Sequence, residues 1–460
     1  MTTRLLTGAS SLAMALTLLS GCAKSPLAST NSFSFTHLTV INVRNGAELS
    51  DMTVTVSGNR IVSVAPAHMS TPSGNVVDAS GKFLIPGLWD MHAHWADEEY
   101  LTSFTVNGVT GIRMMNGVSP QLDWRRRIEN GITLGPRMSI AGPFVDGARP
   151  NYPGLLSIAT TSADDARAAV QTTKAIGFDF VKTYSGLSRD AFFALADECR
   201  KENILFAGHV PDSVSAVEFA QAGGVSEEHL RRVDIACADV PDDTPTGSLE
   251  ADRAYDANKA ANVFALFKQL GTWHCPTLVQ AEKQLEGDPG LLSDPRMAYL
   301  PPSLQAFFHT VMLTPRRPPD EAAIVLDNNR TLVAGMQQAG VGLLAGSDTP
   351  TNGVFPGSGL HEELALLVNA GLSPLEALQT ATLNPARYLA RERELGTVEA
   401  GKLADLVLLD ANPLADIRNT TKIQSVVQNG KLLRRADLDA LLSDLKNKAA
   451  RGQDSHPWLF

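Results

Sequence analysis

Cysteine is scarce, at 4 of 460 residues, and this excludes a fold held by a disulfide framework. No basic block exceeds the three arginines Arg125 to Arg127, and acidic residues outnumber basic ones 49 to 39, for a net charge of −10. Nucleic acid is therefore not the expected partner. No Gly-x-Gly-x-x-Gly or phosphate-loop pattern marks a nucleotide site, and no Gly-x-Ser-x-Gly elbow marks a serine hydrolase. No apolar run is long enough to span a bilayer comfortably, which takes about 20 residues. The composition that remains is 44% hydrophobic and 19% charged, with 36 Gly and 26 Pro. That is globular composition with ample length for a core, and it excludes a disordered chain, a collagen or a coiled coil.

The N-terminus carries one charged side chain, Arg4, before an apolar run from Leu5 to Leu19 diluted by Ser, Thr and Gly. The run fits the core of a secretory signal. It ends in Leu19-Ser20-Gly21-Cys22, which resembles a bacterial lipobox with Cys22 as the lipidated first residue of the mature chain. Residues 1–21 are thus expected to be a signal peptide and 22–35, rich in Ser, Pro, Ala and Thr, a tether. The expected location is the cell envelope, with a lipid anchor on Cys22 as the only membrane attachment. Ala23 rather than Asp after the cysteine resembles outer-membrane sorting, facing the periplasm.

From Thr36 to Ile85 the pattern is short, alternating and β-branched, as in Met52-Thr53-Val54-Thr55-Val56, and it reads as a small antiparallel β unit. Similar strands return at 404–410 and 423–428, so residues 36–85 and 395–435 are expected to form one β domain from both chain ends. Between them, in 86–394, eight short apolar runs alternate with helical stretches. The runs are 84–92, 111–115, 137–141, 178–184, 204–209, 224–229, 273–279 and 341–348. Eight strand–helix repeats predict an α/β fold, a (β/α)8 TIM barrel. Residues 280–327, with Pro301-Pro302 and Pro318-Pro319, read as a long connection, and 143–156 as a second loop. A connection as long as the first often serves as a lid or binding loop, and the second is a candidate border of the site, with plain surface decoration the alternative for both. Residues 436–460 read as an amphipathic helix and a tail.

His92 and His94 close the first run, Lys182 lies near the end of the fourth, His209 and His229 end the fifth and sixth, and Asp348 ends the eighth. In a barrel these ends converge on one mouth, where active sites lie. His92 and His94, two apart on a strand, face the same way. Imidazole and carboxylate are good ligands for Zn²⁺ or Mn²⁺. Tyr184, His274 and His361 are candidates for contacts with a substrate.

The segments Phe83-Leu84-Ile85-Pro86-Gly87-Leu88-Trp89-Asp90-Met91-His92-Ala93-His94 and Ala345-Gly346-Ser347-Asp348-Thr349 resemble the first and last barrel-strand motifs of the amidohydrolase superfamily. Residues 375–386 resemble its helix after the barrel, and 396–407 its return into the β domain. The resemblance implies a (β/α)8 barrel with a small β-sandwich. It further implies that His92, His94 and Asp348 bind one metal and His209 and His229 a second. It implies that Lys182 reacts with CO₂ to form a carbamate bridging both. Two divalent ions, most readily Zn²⁺ with Mn²⁺ as the other candidate, would hold a bridging hydroxide that attacks the substrate. Asp348 would carry the proton to the leaving group.

The motifs Phe180-Val181-Lys182-Thr183-Tyr184 and Gly208-His209-Val210-Pro211 resemble prolidase-like dipeptidases, relatives of imidazolonepropionase and ochratoxin-type amidases. A small-molecule amide or peptide beside a free carboxylate is the expected substrate. A carboxylate needs a cationic partner, and Arg113, Arg149, Arg231 and Arg232 are the candidates near strand ends or loops. The alternatives are a cyclic amidase, lactonase or phosphotriesterase on the same two-metal site, a one-metal deaminase, and a non-catalytic envelope binding protein.

Overall fold

A computed structural model describes residues 32–95, 97–311 and 317–454. The signal peptide, Cys22 and most of the tether lie outside the described residues. Two eight-stranded sheets organise the chain.

The first sheet runs in the order Lys431–Arg434, Ile423–Gln428, Leu406–Leu409, Phe83–Pro86, Ser32–Asn42, Ala47–Ser57, Arg60–Pro66, so both chain ends share it as expected. It curls on itself. Beyond its edge strand, Ile61 exchanges backbone hydrogen bonds with Lys402 and Gly401, and Ala404 donates to the carbonyl of Asn59. Alternation puts Phe33, Phe35, Leu38, Val54, Leu84 and Leu406 into one apolar layer inside the curl. The sheet is not purely antiparallel. Ser32–Asn42 pairs in parallel with Asn75–Asp78 and with Phe83–Pro86, because the chain crosses over between them instead of turning back.

The second sheet is the barrel. Its parallel strands are Leu88–Ala93, Val109–Met114, Arg137–Asp146, Phe180–Thr183, Leu205–Gly208, Ser226–Glu228 and Trp273–Cys275, hydrogen-bonded in that order. The eighth run, 341–348, and Thr349 after it close the ring through isolated parallel bridges from Leu343 to His274 and from Thr349 to Ala93. This makes a distorted (β/α)8 barrel. The strands are buried on both faces, since helices cover the outside. Gly346 sits where the eighth strand crosses the first. A Cβ there would meet Cys275 Sγ at 2.4 Å and His92 Cβ at 2.6 Å, so only glycine allows this approach.

The helices start where local chemistry allows. Ser162, Ser188 and Ser215 accept from backbone N–H groups at the first turns of Ala163–Ile176, Arg189–Glu202 and Ala216–Gln221. The expected connection over 280–327 is instead largely helical, with Leu278–Leu285, Pro302–Val311 and Pro319–Ala339 among the described residues. The prolines read as breaks stand at helix starts, where no intrahelical N–H is needed. The seventh strand ends at Cys275 rather than Val279, because Thr277 takes a left-handed conformation and begins a helix. No helix among the described residues is long and apolar enough to cross a membrane.

Candidate metal centre

The strand ends bring His92, His94, Lys182, His209, His229 and Asp348 together. His92 Nε2 lies 3.3 Å from His94 Nε2, and Asp348 Oδ1 lies 3.3 Å from His92 Nε2 and 3.1 Å from His94 Nε2. The His92 and His229 ring centroids are 4.5 Å apart, and those of His209 and His229 4.9 Å. The arrangement depends on an unusual backbone. His229, Leu230, Arg232, Thr277 and Asp348 all have positive φ, between 50° and 67°. For residues with a Cβ this costs about 1–2 kcal/mol each, and such strain concentrates at functional sites.

Each imidazole has its outer nitrogen engaged. His92 Nδ1 donates to Glu228 Oε2 at 2.6 Å and His94 Nδ1 to Asn116 Oδ1 at 2.6 Å. His209 Nδ1 meets Ser185 Oγ at 2.9 Å. His229 Nδ1 meets Thr277 Oγ1 at 2.6 Å, and that hydroxyl spends its own proton on the carbonyl of Pro276. A ring that donates from Nδ1 has a lone pair at Nε2 when neutral. Burial and the nearby cations push His92 and His209 well below the usual imidazole range, and burial takes His229 to about 4. The inner face thus holds bare Nε2 atoms beside a carboxylate oxygen. Burial alone would raise the Asp348 carboxyl, but His229 and His94 hold it below its ordinary value. Three electron pairs within 3.3 Å repel one another unless a cation lies between them.

Lys182 has no exposed surface, and its Nζ has no hydrogen-bond partner among the described residues. Burial lowers its pKa to about 8, with Glu228 and Asp348 opposing the shift. Its stem passes Gly208, whose φ is 141° and whose Cβ, if present, would lie 2.9 Å from Lys182 Cδ. A glycine before His209 therefore makes room for the lysine.

Among the described residues, two overlapping groups have ligand atoms within 4.8 Å of one another: His92, His94 and Asp348, and His92, Glu228 and Cys275. A divalent ion fits the donors of the first. In the second, Arg113 takes both Glu228 oxygens at 2.8 and 2.9 Å, Ser226 donates to Oε1 as well, and burial raises the Cys275 thiol well above its usual range. That carboxylate orients His92, in the way carboxylates commonly orient a histidine ligand.

Above this floor opens a cavity of about 650 Å³, whose wall includes His94, His209, His229 and Asp348. Tyr184 is in the wall, stacked on His209 with centroids 4.2 Å apart and next to Phe144 at 4.6 Å. Tyr152, on the loop after the third strand, joins the same aromatic face. Leu285, Phe307 and Val325, from the helical stretch after the seventh strand, line it too, so both segments expected to border the mouth do so.

His274 and His361 are elsewhere. His274 points out of the barrel towards the helices, fully buried against Phe267 with Nδ1 3.0 Å from Glu227 Oε2. Alternation along the seventh strand turns Cys275 inward and His274 outward. His361 spends both nitrogens, on Thr420 Oγ1 and on the carbonyl of Asn107, each at 2.9 Å. Neither reaches the cavity. Asp90 accepts from the Ser347 hydroxyl at 2.5 Å and from the Ser347 and His92 amides, clamping the last strand to the first. Sequence reasoning did not single out Glu228, Asn116, Ser185, Thr277, Phe144 or Tyr152. The one available signal was Glu227-Glu228, two acids at the end of an apolar strand directly before a histidine.

A family model described as the amidohydrolase family matches residues 83–433. Among curated proteins, the chain is 23% identical over 416 residues to an adenine deaminase of Clostridium botulinum, covering 86% of this chain and 56% of that protein. The chain thus spans little more than half the length of that relative. It is 23% identical over 431 residues to the ochratoxinase of Aspergillus niger, covering 79% of this chain and 78% of that protein. Among solved structures, a putative prolidase from Bifidobacterium longum is 25% identical with a TM-score of 0.67, covering 90% of this chain and 99% of that one.

Proposed function

The chain belongs to the amidohydrolase family, and from that premise we propose that it is a metal-dependent hydrolase of an amide or peptide bond in a small molecule. The observation that carries this reading is the set of lone pairs turned inward: the Nε2 atoms of His92 and His94 with Asp348 Oδ1, each held within 3.3 Å of the next. His92, His94 and Asp348 would hold one divalent ion and His209 and His229 a second, with Lys182 as a carbamate between them. The amine of Lys182 forms a bond to the carbon of CO₂ and releases a proton, turning a buried cation into an anion with two donor oxygens. Two such ions supply a water of lowered pKa and a Lewis acid for the carbonyl.

The chain's own residues do the rest. Asp348 takes a proton from the attacking water and returns it to the leaving nitrogen. Its second oxygen is fixed by the Thr351 hydroxyl at 2.7 Å, so the first stays directed at the reacting centre. Tyr184 offers a hydroxyl beside His209 to the substrate oxygen. Phe144 and Tyr152 extend that face and exclude water from it. The C–N bond breaks, OH adds to the acyl carbon, and nitrogen leaves as an amine.

Zinc is the metal the imidazole-rich donor set favours, with manganese second. A lipid anchor on Cys22 and placement at the outer membrane, facing the periplasm, are part of this proposal and rest on the lipobox pattern alone. A deaminase reading has one observation in its favour, the resemblance to adenine deaminases. Members of the superfamily that use one metal commonly lack the lysine, so Lys182 favours the two-metal reading.

Elemental analysis of the purified protein should find about two equivalents of divalent metal. A panel of N-acyl amino acids, dipeptides, lactones, phosphotriesters and adenine should show turnover of the first two classes. Chelation should abolish it and Zn²⁺ or Mn²⁺ restore it; turnover that survives full metal removal would end this reading. Lys182→Ala should lower bound metal and the rate together, and short carboxylates such as acetate should restore part of both. Unchanged metal content in that variant would remove the carbamate from the account.

A further inference from the structure

The third and fourth barrel strands pair as far as Val145 and Thr183, and the Tyr184 amide still donates to the carbonyl of Val145 at 3.0 Å. One residue further the ladder stops, and the side chain of Asp146 takes its place. Asp146 Oδ1 accepts from the backbone amides of Gly147 at 2.9 Å and Gly186 at 2.8 Å. Oδ2 accepts from the backbone amide of Asn151 at 3.0 Å and from its side-chain amide at 3.3 Å. Asp146 is fully buried. A carboxylate at that depth needs donors in place of water, and these four N–H groups supply them. Bonds to an ionised acceptor are also the stronger kind.

The donors belong to two segments that both serve the site. Gly186 follows Ser185, whose Oγ is 2.9 Å from His209 Nδ1. Asn151 precedes Tyr152, whose ring centroid is 5.8 Å from that of Phe144 and 6.0 Å from that of Tyr184 in the cavity wall. Little packing holds either segment. Ser185 is half-buried and Gly186 exposed, and of residues 147–156 only Gly147 and Leu156 are buried. Hydrogen bonds therefore decide where this loop lies. Its far end returns to the same residue, since the Thr160 amide and hydroxyl donate to the carbonyl of Asp146 at 2.9 and 2.7 Å. Loop and turn also touch backbone to backbone: a Cβ on Gly147 would lie 2.1 Å from the Gly186 carbonyl oxygen.

We propose that Asp146 is a positioning residue that ties together two parts of the site, the turn in which Ser185 orients His209 and the loop in which Tyr152 walls the cavity. One carboxylate then sets both how well the position of His209 and His229 retains its ion and how firmly the aromatic wall is held. The part concerning the ion rests on the two-metal reading; the part concerning loop and turn does not.

Hydrogen exchange of the metal-loaded protein, read by mass spectrometry on peptides covering 148–156 and 184–188, tests this together with metal content after dialysis against a weak chelator. Asp146→Ala removes both oxygens. Exchange should quicken about tenfold to a hundredfold in both segments, the worth of hydrogen bonds to a charged group, while the rest of the barrel keeps its wild-type rates. The ion at His209 and His229 should be released about tenfold to a hundredfold more readily. Ser185→Ala should release the same ion and leave exchange in 148–156 unchanged. Asp146→Asn keeps one oxygen and gains an NH₂ group. The Gly147 and Gly186 amides keep the oxygen, whereas the Asn151 backbone N–H then meets a second donor. In that variant only 148–156 should quicken, and both ions should stay, a partial rescue that a residue merely filling space would not show. No quickening in either segment of Asp146→Ala would overturn the proposal, as would an even quickening across the barrel with a lower unfolding midpoint. Local quickening in Asp146→Ala with the ion retained as in wild type would overturn it too. If Asp146→Ala does not fold, Asp146→Asn decides, and unchanged exchange in its 148–156 segment counts against the proposal. A wild type that holds no second ion would instead overturn the two-metal reading, and the exchange pattern would still decide whether Asp146 holds loop and turn.

Discussion

Asp348→Asn is expected to lower kcat/KM for any substrate of this enzyme by about 10³- to 10⁴-fold, the scale of losing a general acid–base group. The loss should fall on kcat rather than KM, because in the proposed mechanism the carboxylate handles a proton in the transition state and does not hold the ground-state substrate. Asparagine preserves the shape and the hydrogen bond from Thr351, so the fold should be unaffected by circular dichroism and by urea midpoint. It also removes the negative charge from the floor beside the Nε2 atoms of His92 and His94, which lie 3.3 and 3.1 Å from Asp348 Oδ1. Weaker retention of one metal should therefore accompany the lost rate. Steady-state kinetics with metal saturating separates the two effects. A variant within tenfold of wild type under those conditions would mean that the proton passes through another group.

Glu228→Gln is expected to destabilise the protein by about 3–5 kcal/mol, the cost of leaving one partner of a buried ion pair alone. Arg113 and Glu228 have no exposed side-chain surface, and two guanidinium contacts at 2.8 and 2.9 Å join them. Burial works against the Arg113 charge, and Glu228 together with Tyr388 and Cys275 more than offsets it, so the pKa of the guanidinium stands above its ordinary value. With the amide in its place, the charge would face only neutral acceptors: the amide oxygen, the Ser226 and Tyr388 hydroxyls and the carbonyl of Met91. Urea titration followed by tryptophan fluorescence measures the loss. Arg113→Met on top of Glu228→Gln should recover part of it, since the uncompensated charge would then be gone. A shift below about 1 kcal/mol, the range of an exposed pair, would mean that water reaches this layer. His92 also loses the charge of its outer partner in Glu228→Gln, so metal affinity should fall about tenfold to a hundredfold, as for other residues that orient a ligand.

The eight strand positions were legible because alternation and apolar runs are local properties of a chain. The positions of the candidate ligands were legible for a related reason: a histidine or lysine at a strand's C-terminal end has a fixed place in a barrel. Two kinds of error have physical causes. Pro301-Pro302 and Pro318-Pro319 read as breaks, yet proline's missing N–H and fixed φ also suit the first turn of a helix. His274 lies on a strand of three residues next to the inward-facing Cys275, and one position of register decides which side faces the mouth.

What the chain's linear order determined, then, is the architecture and the identity of the inward donors. The tertiary structure decided which groups orient them. His92 and Glu228 are 136 residues apart, and His229 and Thr277 are 48 apart. No periodicity links such pairs; they meet because neighbouring strands and the helix after the seventh strand are packed in a closed ring.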